Sequence, residues 1–324
     1  MQLSMGRTIP PNMFLFRHSF TAFVLLALAL TIVWAAEPDA NENDSSPVGE
    51  LDLDDVPGKP SEFTPPGITA EDAAQWRLIF SDDFDGTELD ETKWSHRFLG
   101  PRESSIIAKD CISLNGNGLL HVWVKEKDGV LQNGMIGTQG KFEATFGIMA
   151  ARIKFPEPQG QHGSLWMQPA KRDKDADEAA RTGAEIDVVE WFGSYRKDTG
   201  TASNVYWGGA NPKEHRLGQF ADVTRILKAD ELTSDDFHIF SVEWSPEGYI
   251  FRMDGHETFR VTDPASVSHQ PQYLILSLLT ADWEAARLDR TKLPDSMEVD
   301  WVRVWQNEAS AEANKSAIKG QASR

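Results

Sequence analysis

Residues 237–255, FHIFSVEWSPEGYIFRMDG, decide the fold class. They contain two runs, 237–245 and 249–255, that are rich in aromatic and β-branched residues and alternate in polarity. Such runs predict strands, and the Pro-Glu-Gly turn between them predicts an antiparallel hairpin. The Asp-Gly pair that ends the second run is a further turn signal. This part of the chain is therefore expected to form sheet.

Similar runs recur through the chain with turn residues between them. Helical periodicity is weak outside 70–76 and 224–232, and the charged insertion 171–182 is expected to be a solvated loop. Many strands at short intervals without intervening helices indicate an all-β fold: two packed antiparallel sheets, a β-sandwich of jelly-roll type. The other predicted strands are 119–127, 141–155, 185–192, 273–279 and 297–305.

Composition divides the chain into a core domain and flanking segments. Residues 37–70 are acidic, rich in Pro and Ser and poor in large apolar side chains, so they cannot offset the entropy of ordering and are predicted to be a linker. Residues 308–324 are similarly small and polar and are predicted to be a flexible tail. The domain is expected to occupy 71–307, a size that single all-β domains reach.

Residues 1–36 have the pattern of a secretory signal peptide. They contain two arginines and no acidic residue, run apolar from Phe20 to Trp34, and end in small residues at Ala35 and Ala36. An uncleaved membrane anchor is the alternative, since the apolar run is near the short limit for spanning a bilayer. The expected location is secreted or periplasmic, without membrane attachment once the signal is removed.

The charge and the cysteine count exclude several classes of protein. Beyond residue 36 the chain has 30 basic and 50 acidic residues, a formal charge of −20. This balance argues against nucleic acid as a partner and against anionic membrane surfaces, because both require clustered Lys and Arg. Cys111 is the only cysteine, so no intrachain disulfide can form. No sequence feature indicates an oligomer, and a monomer is expected.

The strand 185–192, EIDVVEWF, carries the strongest chemical signal. Alternation places Glu185 and Asp187 on one face of the strand, and would place Glu190 on the other. A β-bulge at Val188-Val189 would return Glu190 to the carboxylate face. Like charges so close raise one another's pKa, which suits glycoside hydrolysis, where one carboxyl must be ionised and another protonated. A solvated acidic face and a cation site are the alternatives from residues alone.

At this point the sequence resembles glycoside hydrolase family 16, the family of laminarinases, lichenases and agarases. EIDVVE matches the family signature E-x-D-x-x-E in its β-bulge form. Four further segments resemble the family in order, so that the resemblance covers nearly all of 74–307. They are FSDDFDGTELDETKW (80–94), GIMAARIKFPEPQGQHGSLWMQP (147–169), FHIFSVEWSPEGYIFRMDG (237–255) and PDSMEVDWVRVWQ (294–306).

The resemblance implies a jelly-roll sandwich with a cleft across its concave sheet and a retaining mechanism. It implies Glu185 as the nucleophile, Glu190 as the general acid/base and Asp187 as their electrostatic partner. No cofactor is required for this chemistry. It also implies a structural calcium, for which Asp83 and Asp300 match the acidic ligands; a strand-end hydrogen-bonding role is the alternative for this pair.

Substrate-binding residues are predicted from the same resemblance. Trp166 and Trp191 are candidates for sugar platforms, since an indole face packs flat against sugar C–H bonds, and Trp283 is a candidate at the cleft rim; core positions are the alternative. His162 stands where many family members have tryptophan, and a sugar hydrogen bond or a loop-stabilising role is open. Asn204 or Tyr206 stands near a position that often holds a cleft histidine.

The predicted function is endo-hydrolysis of a neutral β-linked polysaccharide, with β-1,3-glucan as the default substrate. A non-catalytic β-glycan-binding module of the same fold is the main alternative, but such relatives typically lack the catalytic carboxylates that are intact here. Transglycosylation is a second alternative. A structural or adhesion sandwich would explain the aromatic residues but not three acids on one strand.

Overall fold

The computed structural model describes residues 64–195, 200–228, 230–313 and 315. The predicted signal peptide (1–36), the linker as far as residue 63 and most of the predicted tail lie outside the described residues. The last part of the predicted linker, 64–70, lies against the domain. Ile68 packs beside Trp76 and Trp305, and a Cβ atom on Gly67 would meet the side chain of Arg252.

The described residues form 17 strands. They are β1 (Trp76–Asp82), β2 (Ser95–His96), β3 (Gly100–Arg102), β4 (Ser105–Ile107), β5 (Ile112–Leu114), β6 (Leu120–Lys127), β7 (Val130–Gly137), β8 (Gly147–Lys154), β9 (His162–Pro169), β10 (Ala184–Trp191), β11 (Thr201–Trp207), β12 (His215–Phe220), β13 (His238–Ser245), β14 (Gly248–Met253), β15 (His256–Val261), β16 (Gln272–Leu279) and β17 (Asp295–Asn307).

Helical structure in the described residues is limited to short segments. The α-helices are α1 (Ala179–Thr182), α2 (Asp282–Ala285) and a helical segment after β17 that is described over residues 308–313, and the 3-10 turns are Asp72–Gln75, Lys109–Cys111, Val223–Arg225, Pro264–Ser266 and Arg290–Lys292. The two segments with weak helical periodicity thus form one 3-10 turn each. No described helix is long and apolar enough to cross a bilayer.

Apart from β3 and β4, which pair with each other and join the first half of β7 through β4, the strands form two sheets. The first, here called the site sheet, has the order β12-β11-β10-β9-β16-β7-β2. The second, the outer sheet, has the order β5-β6-β17-β8-β13-β14-β15, with β1 beside the C-terminal half of β17. Strand β7 belongs to both, because its first half pairs with β6 and its second half with β16. The predicted β-sandwich of jelly-roll type is confirmed.

Alternate side chains of both sheets meet in one core. From the site sheet, Ile186, Leu274 and Leu276 are fully buried, and Met149 and Val242 of the outer sheet pack in the same cluster. Full burial of such a side chain contributes about 1.5–3 kcal/mol. This core holds the sandwich together without a disulfide, and the single cysteine, Cys111, is a buried thiol whose pKa burial raises to about 11.

The predicted strand 141–155 is divided between the two sheets. Ala144 bridges to Gln272 in the site sheet, whereas β8, in the outer sheet, begins only at Gly147. The chain crosses between the sheets at Phe146 and Gly147, whose φ angles of 64° and 121° lie in the left-handed region. Gly147 is required because a Cβ atom there would lie 2.4 Å from the carbonyl oxygen of Trp305.

Replacing Gly147 by alanine is therefore expected to destabilise the fold by about 2–5 kcal/mol, since the new Cβ adds both backbone strain and a clash with backbone. Urea unfolding measures the effect. Gly129→Ala is the matched control: Gly129 also has a positive φ, 79°, but a Cβ there meets nothing within 4 Å. The control should cost about 1 kcal/mol. Equal losses of stability in the two variants would contradict the requirement for glycine at position 147, because the clash with the Trp305 carbonyl oxygen would then add no cost.

Candidate active site

A bulge in β10 places three carboxylates on one face of the site sheet. Against β9, Asp187 lies opposite Trp166 and Val189 lies opposite Leu165, so β10 has one residue more than its neighbour. The register against β11 shifts between Asp187 and Glu190. Ser203 donates a hydrogen bond of 2.9 Å to the carbonyl oxygen of Val188, within the bulge. The predicted bulge at Val188-Val189 is thus present.

Glu185 is buried and held at both carboxylate oxygens. The Lys213 ammonium lies 2.8 Å from Oε1, and the Gln168 amide donates to Oε2 at 2.9 Å. Gln168 is in turn fixed by the Tyr273 hydroxyl, which donates to its Oε1 at 3.1 Å. Burial alone would lower the pKa of Lys213, but the carboxylates of Glu185 and Asp187 outweigh it and raise that pKa. Glu185 and Lys213 therefore form a charged ion pair.

Asp187 lies between the two glutamates on the same face and is buried. Burial, followed by the charges of Glu190 and Glu185, raises the pKa of Asp187 well above its ordinary value. Both causes disfavour the charged form. The surroundings of Asp187 thus favour its protonated form, and in that form it separates the two glutamates without adding a charge.

Glu190 is also held at both oxygens, but by different groups. His162 Nε2 lies 2.9 Å from Oε1, and the Asn204 side-chain amide donates to Oε2. Arg216 Nε donates at 2.8 Å to Asn204 Oδ1, which fixes the amide orientation. Burial works to raise the pKa of Glu190, but the hydrogen bond and charge of His162, together with Asn204 and Lys213, lower it. The site therefore favours the carboxylate form of Glu190.

The His162 ring is fixed by aromatic neighbours. It stacks on Phe192 with ring centroids 5.0 Å apart and planes 3° apart, and it meets the Trp283 ring at 5.4 Å and 62°. Ser164 Oγ lies 3.3 Å from the same His162 Nε2 that contacts Glu190. A ring held on these sides has little freedom to turn away from Glu190.

The structure brings most of the predicted substrate-binding residues to the carboxylate face. Trp166 is partly exposed, one strand away from Asp187, and its indole N–H donates to Ser277 at 3.2 Å. Trp283, on α2, is 50% exposed and lies against the His162 ring. Tyr206 is partly exposed beside Lys213, with the ammonium 4.7 Å from the ring centroid. Asn204, in contrast, is buried against Glu190.

The placement of Trp191 requires a correction. Its side chain is 0% exposed, stacks on Phe155 at 5.5 Å and donates to the carbonyl oxygen of Pro156 at 2.8 Å. It cannot present a face to a sugar. The physical reason is alternation: once the bulge has turned Glu190 to the carboxylate face, the next residue points into the sandwich core.

Lys213, Gln168 and Arg216 contact the carboxylates or their partners but were not among the predicted residues. Gln168 had a usable signal, because it lies two positions after Trp166 in one predicted strand and therefore shares its face. Lys213 had none, since it lies in the loop between β11 and β12 and reaches Glu185 through tertiary structure alone.

The predicted calcium ligands are each engaged by an arginine. Arg303 lies 2.7 Å from a carboxylate oxygen of Asp83, and Arg152 lies 2.7 Å from one of Asp300. Calcium takes six to eight oxygen ligands, including carboxylates whose negative charge it requires, and a carboxylate already paired with a guanidinium group offers less of that charge. Two carboxylates already neutralised by guanidinium groups do not fit a calcium ion. The arginine contacts of Asp83 and Asp300 match the alternative, in which these two aspartates make local polar contacts.

Removal of divalent cations is accordingly expected to leave the stability unchanged. A structural calcium present at 1,000 times its Kd would contribute about 4 kcal/mol, so that its removal would lower the Tm by roughly 10 °C. We expect scanning calorimetry with and without EDTA to give the same Tm. A drop of several degrees that added calcium reverses would show instead that the protein binds a structural calcium.

Comparison with known proteins identifies the family. The profile of Glycosyl hydrolases family 16 matches residues 105–303. The Beta-glucanase of Rhodothermus marinus is 27% identical over 261 residues, which cover 73% of this chain and 87% of the relative. The Glucan endo-1,3-beta-glucosidase A1 of Niallia circulans is 23% identical over 271 residues, which cover 72% of this chain but 38% of that longer protein.

The likeness extends to solved structures. The laminarinase catalytic domain from Thermotoga maritima superposes with a TM-score of 0.58 at 21% identity, covering 72% of this chain and 99% of that domain. The chain belongs to glycosyl hydrolase family 16, and the predicted class, an endo-acting glycoside hydrolase, is confirmed.

Proposed function

We propose that the protein is a retaining endo-β-glycosidase that hydrolyses a β-linked polysaccharide by double displacement, with Glu185 as nucleophile and Glu190 as acid/base. The observation that carries this proposal is the bulge, which brings two glutamates in different electrostatic settings to one face of the site sheet. A retaining glycosidase requires two carboxyl groups in one site, one as the nucleophile and the other as the general acid/base.

The surroundings of Glu185 suit a nucleophile. Its ion pair with Lys213 favours the carboxylate, and the Gln168 amide fixes the orientation of the group. A carboxylate has about four lone-pair sites, so these two donors leave others for attack at the anomeric carbon. In the first step Glu185 forms an ester with that carbon while the leaving oxygen takes a proton through Glu190.

In the second step Glu190 takes a proton from water, the oxygen of that water bonds to the anomeric carbon, and the Glu185 ester is released. Burial and the two neighbouring glutamates favour the protonated form of Asp187, and in that form it limits repulsion between the two glutamates. Transfer of the glycosyl group to a second sugar instead of water uses the same residues, so it is an outcome of the assay below.

The default substrate that we propose is β-1,3-glucan, which the names of several relatives support. Arg216 favours a second candidate, a galactan with anionic substituents, because this exposed cation lies beside Asn204 and Tyr206 at the carboxylate face. Relatives in this direction are Beta-porphyranase B of Zobellia galactanivorans, 24% identical, and Keratan-sulfate endo-1,4-beta-galactosidase of Sphingobacterium multivorum, 26% identical. We also propose that the protein is exported, on the signal pattern of residues 1–36, and that it is a monomer, since no sequence feature indicates an oligomer.

The test is reducing-end release on laminarin, mixed-linkage glucan, agarose, porphyran and keratan sulfate, followed by NMR of the first anomer formed. We expect one glycan to be cut with release of internal fragments and of the β-anomer. Initial release of the α-anomer would rule out retention. Binding of a glycan without cleavage would establish the binding-module alternative, and longer products would establish transglycosylation.

A further inference from the structure

Glu190, the proposed acid/base, is in direct contact with a second side chain that can hold a proton, the imidazole of His162. His162 Nε2 and Glu190 Oε1 are 2.9 Å apart, in a site where both side chains are largely buried. The aromatic contacts with Phe192 and Trp283 hold the imidazole ring in the orientation that makes this contact. The distance and the fixed ring are those of a charge-assisted hydrogen bond when the pair carries one proton.

Besides His162, the groups that face Glu190 are one neutral amide and several charged or titratable side chains, from the elements packed against it. Strand β11 contributes Asn204 and Tyr206. The remaining groups are Asp187 and Glu185 on the same strand, Arg216 on β12 and Lys213 in the preceding loop. Asp187 favours its neutral form, Glu185 is paired with Lys213, and burial beside Glu190 and Asp187 raises the pKa of Tyr206 to about 12. His162 is thus the neighbour whose residue type titrates near neutral pH.

These surroundings pose a problem for a general acid. The site favours the carboxylate form of Glu190, whereas departure of the sugar oxygen requires a proton from it. A second group that holds this proton at rest and returns it through Glu190 solves the problem. The imidazole of His162 is in contact with the same carboxylate oxygen.

We propose that His162 and Glu190 hold one catalytic proton between them, so that the acid/base is a histidine–glutamate pair. This inference rests on the proposed function of Glu190. His162 is a positioning residue, because it acts on the substrate only through Glu190.

The proton balance of the cycle follows from this assignment. At rest the pair carries one proton. When Glu185 bonds to the anomeric carbon and the glycosidic C–O bond breaks, the proton passes through Glu190 to the leaving oxygen, and the pair is left as neutral imidazole and carboxylate. In the second step water gives a proton to the pair as its oxygen displaces Glu185. The pair then holds one proton again, and Glu185 is again a carboxylate.

The pH dependence of kcat/KM tests the shared proton. In the wild-type protein the alkaline limb should mark the pH at which the histidine–glutamate pair loses its proton. In His162→Gln, which keeps a side-chain donor but cannot titrate, the limb should move to lower pH by about one unit or more, toward the carboxylic acid range near 4.3. An unmoved limb in this variant overturns the proposal.

The matched control is His215→Gln. His215 is paired with Asp177 at 3.0 Å and stacks on Trp207, away from the carboxylates. This change removes one histidine without touching Glu190, and the wild-type pH limb should remain. A limb that moved equally in both variants would assign the shift to net charge rather than to the pair, and would also overturn the proposal.

A second measurement does not depend on turnover. The ¹³C signal of the Glu190 carboxyl, assigned by its loss in Glu190→Gln, is followed against pH in the wild-type protein and in His162→Gln. Because His162 lowers the pKa of Glu190, this carboxyl should titrate at higher pH in the variant. An unchanged midpoint overturns the pair even if the enzyme is active. If no glycan is cut, the proposed function fails, while the titration still decides whether the two residues share a proton.

Discussion

Replacing Glu185 by glutamine is expected to lower kcat by roughly four orders of magnitude or more, the scale found when a catalytic nucleophile is removed. Glutamine has nearly the same shape, so it keeps a contact with Gln168, but its amide cannot form the glycosyl ester. It also leaves the Lys213 ammonium beside a neutral group. The measurement is reducing-end release under substrate saturation, with thermal unfolding to verify that the variant is folded.

Glu214→Gln is the matched control for this change. Glu214 is exposed and lies next to Lys213 in the chain, and the substitution is chemically the same. It should retain nearly all activity. If Glu185→Gln retained more than a few per cent of the wild-type rate while folded, Glu185 would not be the nucleophile, and the double-displacement mechanism would have to be abandoned.

Replacing Glu190 by glutamine should have the second largest effect, and this effect should depend on the leaving group. General acid catalysis contributes about 10²–10⁴-fold, so cleavage of a polysaccharide should fall by that factor. A dinitrophenyl glycoside has a leaving group that departs without a proton. Its first step should therefore be much less affected, and a burst of phenolate should precede a slow second step.

This pattern separates the two glutamates. The Glu185 variant should give no burst with either kind of substrate, because no ester can form, whereas the Glu190 variant should give a burst with the activated glycoside alone. Stopped-flow absorbance of the released phenolate measures both. Loss of the burst in Glu190→Gln, in a folded protein, would show that Glu190 is needed for more than proton transfer.

The sandwich could be predicted from sequence because its strands alternate in polarity. The runs 237–245 and 273–279 differ from the observed strands β13 and β16 by one residue at the first position, and the run 185–192 is displaced from β10 by one residue at both ends. The run 141–155 was less accurate, since periodicity alone does not show that a chain leaves one sheet and enters the other. That crossing depends on Gly147 and on the backbone of Trp305, a contact distant in sequence.

The three carboxylates and the bulge were also predictable, because EIDVVE can place all three acids on one face only with an extra residue. The same reasoning, carried one position further, would have placed Trp191 in the core. The contact of His162 with Glu190 was not predictable, since it depends on how strands β9 and β10 pair. The arginine partners of Asp83 and Asp300 likewise come from distant strands, so matching positions did not reveal that these carboxylates are already neutralised.

The bulge determines whether the number of residues between the two glutamates must be odd or even for both to face the site. Glu185 and Glu190 are an odd number of residues apart, yet they occupy the same side of the sheet because one residue is not counted in the pairing. Gain of a single residue between them, or loss of one with the bulge kept, would exchange inside and outside for everything that follows in the strand, and Glu190 would face the core while Trp191 faced water. Changes in this interval can preserve the site only if they come in pairs, or if they remove the bulge together with one residue.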